Sequence, residues 1–248
     1  MAYDPTKHEG AGLDELEQSS KMPLLNLIQQ MSPQINPQKD QYIEGSKAGD
    51  IFFAPTSEVL EQPLEFLPVA LRTVYVEWKP VDQGGGIVNV HGLDIRGRAD
   101  LGYQQGVRTK YDEWLGSNEL KKTTYVMGLI ELDGEQTDCM LALTSTGQRV
   151  ARKLQDDINK FRYDGDLKKV KPAVFARAFQ LKSEYAENAK GDGFFTWKLT
   201  EPRVLDFTKD EDLLELAASK NTDAQAALPS PSPANTAPMI EQSDGDIF

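Results

Sequence analysis

Phe66-Leu67-Pro68-Val69-Ala70-Leu71-Arg72-Thr73-Val74-Tyr75-Val76-Glu77-Trp78 is the stretch that decides the fold class. β-Branched and aromatic residues dominate it, and such residues favour a pleated, half-buried surface. Alternation places Ala70, Arg72, Val74, Val76 and Trp78 on one face and Val69, Leu71, Thr73, Tyr75 and Glu77 on the other. Proline cannot donate to a ladder, so Pro68 is expected at the edge or start of the strand.

Working outward, Gly49–Ala54 reads as an earlier strand, and Thr124–Leu132 and Cys139–Leu143 as two later ones. The Asp133-Gly134 pair between the last two is a hairpin signal. Ser145-Thr146-Gly147 opens a helix in which Val150, Leu154, Ile158 and Phe161 form one buried stripe, with Arg149, Arg152, Lys153 and Lys160 off it. Lys168-Lys169-Val170-Lys171-Pro172 leads into a strand over Ala173–Tyr185. A polar turn at 187–192 then connects to a returning strand, Phe194–Leu199. Leu205–Ser219 reads as a short acidic helix. Strands, a helix, then a hairpin suit a mainly β fold with inserted helices. The oligonucleotide/oligosaccharide-binding (OB) type of partly open antiparallel barrel is the commonest example. An antiparallel sandwich is the other reading.

Four segments follow. Residues 1–21 are a polar, disordered arm. Residues 22–41 hold a short apolar helix (Leu24, Leu27, Ile28 and Met31 at helical spacing), usable also as an interaction arm, and a connector. Residues 42–220 are the barrel domain, with an irregular insert at 79–122. Residues 221–248 are a disordered tail rich in proline and serine, which cannot bury enough apolar surface to offset chain entropy.

The 248-residue chain has a net charge of −12, spread unevenly. Ten acids face three bases in residues 201–248, whereas residues 49–200 hold 22 acids and 20 bases. The nearly neutral middle therefore leaves a polyanionic partner open. The single cysteine, Cys139, lies in an apolar run and excludes an intrachain disulfide and a zinc cluster. Only two histidines are present, and neither a metalloprotease helix motif nor a phosphate loop occurs. Gly84-Gly85-Gly86 precedes a strand-like run, so it reads as a flexible turn. No catalytic residues, metal ligands or cofactor are expected. No signal peptide or apolar span is visible, which implies a soluble, cytoplasmic protein without a membrane partner.

Single-stranded nucleic acid needs cations along a groove and aromatic faces for the bases. The insert interleaves both, with Arg96, Arg98, Arg108, Lys110, Tyr111, Trp114, Lys121 and Lys122. The long strand adds Arg72 and Trp78, and the hairpin adds Phe175, Arg177, Phe179 and Trp197. Any one of Phe175, Phe179 and Trp197 fits a core better than a stacking platform, although Arg177 between two phenylalanines is costly to bury unpaired, which argues that this face meets solvent or a ligand.

The chain's last residues, Asp244-Gly245-Asp246-Ile247-Phe248, resemble the acidic tip of bacterial single-stranded DNA-binding proteins, without the penultimate proline. They also resemble the aromatic-ended tail of T7-type phage replication proteins. Gly49–Phe53, Tyr75–Trp78 with the glycines after it, Gly147–Lys153 and Phe179–Trp197 resemble phage-encoded single-stranded DNA-binding proteins of about this length. The resemblance implies an OB-type domain that coats single-stranded DNA in phage replication and recombination. It also implies a tip, with Asp244, Asp246, Ile247 and Phe248, that recruits replication or recombination proteins. A module that inhibits a host protein and a strand-annealing recombination protein are alternative readings.

Overall fold

The computed structural model describes residues 23–229, apart from Tyr111 and residues 189–190. The arm at 1–21 and the tip at 244–248 lie outside the described residues.

Two long strands form the spine. β4 (Leu64–Trp78) and β8 (Asn118–Leu132) run antiparallel from Leu67↔Leu129 to Trp78↔Glu119. The predicted alternation of β4 holds from Ala70 to Trp78, but Val69 packs in the same core as Ala70, Val74 and Val76 rather than on the opposite face, and Pro68 lies inside the strand. A bulge between Pro68 and Ala70 accommodates the missing donor there. Opposite Pro68 stands Gly128, where an added Cβ would come within 2.4 Å of the Phe66 ring. The crossing of the two strands therefore demands a residue without a side chain. β9 (Glu135–Thr144) returns along β8 through the two-residue turn Asp133-Gly134. Both turn residues have positive φ, at 52° and 83°, as a hairpin turn matched to strand twist requires.

Each spine strand changes neighbours along its length, and this curls the sheet into a half-barrel. At its start β4 pairs with β10 (Arg177–Glu187), which is joined to β11 (Gly193–Val204). At its end β4 pairs with β5 (Ile87–His91). Likewise β8 pairs first with β7 (Glu113–Leu115), itself paired to β6 (Tyr103–Gln105), and then with β9. The insert at 79–122 is thus not irregular throughout. Its strands are three to five residues long, too short for periodicity to reveal, and are set by pairing with the ends of β4 and β8.

A second, three-stranded sheet comprises β1 (Leu25–Leu27), β2 (Ile51–Phe53) and β3 (Glu58–Leu60). The helix expected over 22–31 is replaced by β1. Leu24, Leu25 and Leu27 fit either period, and the available partner β2 decides. A bridge from Leu24 to Met140 joins this sheet to β9. Two glutamine amides tie its other side to the hairpin. Gln29 donates to the Phe195 carbonyl and accepts from the Phe195 N–H, both at 2.9 Å. Gln62 donates to the Gly49 carbonyl and accepts from the Ser183 N–H. Side chains here replace a ladder, so the barrel stays partly open, with a groove of about 570 Å³ beside Gly49, Gln62 and Phe195.

α1 (Gly147–Lys160) plugs the barrel with Ala151 and Leu154, packed among Phe66, Val126, Leu141 and Phe179. α2 (Glu211–Ala227) covers the outer face of the spine, where Ala217, Ala224 and Leu228 meet Leu67, Val74 and Val76. The helix expected at 205–219 thus starts later and extends past 221, where the tail was expected to begin. Asp206 and Asp210 organise a turn before it through bonds to the Thr208, Lys209 and Asp206 amides.

Candidate nucleic-acid interface

At the far end of the spine the insert builds a polar network. Glu77 is buried on β4 and receives hydrogen bonds from His91 on β5 (2.7 Å) and Asn118 on β8. Burial pushes the Glu77 carboxyl up, but these two partners outweigh it and hold it below the ordinary carboxylate range. Nearby, Tyr103 and Arg96 both bind the Glu113 carboxylate. The Tyr75 hydroxyl is pushed up to about 12 by burial and by the same carboxylate.

This network occupies much of the insert's charge. Arg96 pairs with Glu113 at 2.9 Å, Arg98 grips Asp100 through two nitrogens, and Lys121 reaches Glu119 at 3.3 Å. Arg108 stacks 4.4 Å from the Trp114 ring centroid, and Lys121 lies 5.9 Å from that of Trp78. Lys110 and Lys122 are exposed. Tyr111 lies outside the described residues. The insert therefore brings cations and aromatics together, but three of these six cations, Arg96, Arg98 and Lys121, already face an acid.

Several expected surface residues point elsewhere. Trp114 is buried, with its indole N–H on Asp112, and Phe179 is 2% exposed inside the barrel. Trp78 and Trp197 are partly buried against the two cores. Phe175 lies in a 3-10 turn (Val174–Ala176) ahead of β10 and packs toward α2, off the face assigned to it by alternation. Arg72 donates to the Leu228 and Gln225 carbonyls, where it caps the C-terminal end of α2. It lies on the face that alternation gives it, but α2 covers that face. Arg177 does keep aromatic company, 4.9 Å from the Phe161 ring and 5.6 Å from that of Phe179.

The family whose sequence model matches residues 2–226 is that of the Pam3 phage gp34-like proteins. The chain belongs to this phage family. The match takes in every strand and α1, and ends inside α2. No curated protein and no solved structure shows significant similarity to the chain.

In this member of the gp34-like family the largest run of uncompensated cations lies outside the insert. Between Arg149 and Lys171 stand Arg149, Arg152, Lys153, Lys160, Arg162, Lys168, Lys169 and Lys171, against Asp156, Asp157, Asp164 and Asp166. All eight bases are exposed. Arg149, Lys153, Lys168, Lys169 and Lys171 have no ion-pair partner among the described residues. They lie on the solvent face of α1 and on the 3-10 turn Gly165–Lys169 with its continuation. The helix stripe had placed the α1 bases off the buried face. The Lys168–Lys171 cluster was visible too, but its nearness to other groups depends on how the chain returns from α1 to β10.

The described residues contain no group of histidine, cysteine and acidic side chains able to hold a metal ion. Nor do they contain a helix long and apolar enough to cross a membrane.

Proposed function

We propose that the protein binds single-stranded DNA without catalysing a reaction and with little sequence preference, in phage DNA replication or recombination. We further propose that its acidic C-terminal tip recruits partner proteins. The observation that carries the reading is the set of exposed, unpaired cations on α1 and the 165–171 segment. In a chain of net charge −12, such a patch is the feature suited to phosphates. The half-barrel gives it a rigid base, because α1 is anchored by Leu154 in the core. A non-catalytic role is consistent with Cys139, whose thiol is fully buried and pushed well above its ordinary value, which keeps it protonated and inert.

Fluorescence anisotropy with a labelled 30-nucleotide oligo(dT) tests the reading. Tight binding at low salt that weakens steeply as salt rises is expected, with a logarithmic slope of about −0.7 per phosphate neutralised. A protein that leaves the oligonucleotide free at low salt is not a single-stranded DNA-binding protein. Accelerated pairing of complementary strands in the same assay would identify an annealing protein instead.

A further inference from the structure

We infer that Tyr163 and Phe207 form a stacking step for nucleic-acid bases beside the α1 cation surface. This is a contact site separate from both the sheet and the insert. The inference rests on the DNA-binding reading and deepens it.

Four side chains form a continuous ladder from the interior to solvent. Arg177 lies 4.9 Å from the Phe161 ring centroid. The Phe161 and Tyr163 centroids are 5.2 Å apart at an interplanar angle of 75°, and those of Tyr163 and Phe207 are 5.3 Å apart at 51°. Arg177 is fixed at the inner end by its bond to the Asp157 carbonyl. The outer end is open, since Phe207 is 53% exposed.

That exposure belongs to a constrained turn. The Asp206 carboxylate accepts from the Thr208 and Lys209 amides, and Asp210 accepts from the Asp206 amide. Arg203 clamps Asp210 to Glu65 on β4. Leu205 N–H donates to the Ala176 carbonyl at 3.1 Å, tying this turn to the segment that follows Lys171. A large aromatic face is thus presented to solvent at a set position, with little freedom to lose when a flat ligand lands on it.

Charge selects the ligand. Lys160 and Arg162 flank Phe161, and Lys168 and Lys169 follow Tyr163 by five and six residues, all of them exposed. Asp164, Asp166, Asp206, Asp210, Glu211 and Asp212 lie in the same segments and limit the field, but Asp206 is committed to the turn amides and Asp210 to Arg203. Planar apolar faces bordered by cations match a flexible strand that offers bases and phosphates together. A duplex, whose bases are already stacked, has no face to offer.

Phe207→Ala and Phe207→Trp in the full chain test this with oligo(dT). Phe207→Ala should weaken binding by about tenfold, the loss of one stacked base, with the salt slope unchanged. Phe207→Trp should restore affinity, and its added indole emission should be quenched on DNA addition. Lys168→Gln with Lys169→Gln should instead flatten the slope by about 1.4. The exposed position makes misfolding easy to check by a thermal melt. If wild type binds and Phe207→Ala binds equally well, or the Phe207→Trp emission ignores DNA, the stacking step is overturned while the DNA-binding reading stands. If wild type itself does not bind, both fall. Phe207→Ala that binds DNA normally but loses a protein partner would likewise overturn the stacking step.

Discussion

Glu77 illustrates how one residue joins the alternation of a strand to the stability of the insert. Its strand neighbours are apolar, yet its carboxyl is buried and ionised, held by His91 and Asn118. A carboxyl whose folded value is depressed adds stability that is fully present above its unfolded value. That stability is lost as pH falls through the ordinary carboxylate range to the lower folded value. Acid titration of thermal stability should therefore show a decline in that window that is shallower in Glu77→Gln than in wild type. His91→Ala should cost about 1–3 kcal/mol near neutral pH by leaving a buried acceptor short of a partner. A variant as stable as wild type in denaturant melts would mean that water replaces the imidazole at no cost. The sequence placed Glu77 on the correct face of β4. It gave no sign that His91 would meet it, because that depends on the register between β4 and β5.

At the scale of elements, length governs what the sequence reveals. β4, β8, β9 and the β10–β11 hairpin announce themselves by pattern and turn chemistry, and the half-barrel follows from them. β1, β6 and β7 are three residues each, and a tertiary partner rather than a local preference makes them strands. The same distinction explains the candidate site. The α1 bases were legible because a helix stripe sorts residues by face. The fates of Arg72 and Phe175 were not, because they depend on α2 docking over the spine. Arg72 supplies a direct check on that docking. Its guanidinium satisfies two carbonyls at the end of α2, where a cation also complements the helix dipole. Arg72→Ala should cost roughly 1–2 kcal/mol and raise amide exchange across Asn221–Leu228, as seen by mass spectrometry. If exchange rises no more there than in the barrel strands, the helix end is held by Ala224 and Leu228 packing alone.

For the whole molecule, charge is separated along the chain. Cations without an ion-pair partner among the described residues gather on α1 and the 165–171 segment, while residues 201–248 carry ten acids and three bases. Residues 230–248, 19 in all, span at most about 60–70 Å when extended. A domain of roughly 200 residues has a radius of gyration of about 17 Å, so the proposed tip, with Glu241, Asp244 and Asp246, has length enough to meet the cation surface when no DNA occupies it. Such contact is a competition between two polyanions for one patch, and screening weakens it beyond about 8–10 Å near physiological ionic strength. Deleting residues 244–248 should therefore raise oligo(dT) affinity at low salt and leave it unchanged at high salt. The same deletion should abolish capture of replication or recombination proteins. Asp244→Asn with Asp246→Asn, which keeps Ile247 and Phe248, separates the two roles. It should reproduce the gain in DNA affinity whether or not partner capture survives. Equal affinities of full-length and truncated protein at low salt would show that the tip and the DNA do not share a surface.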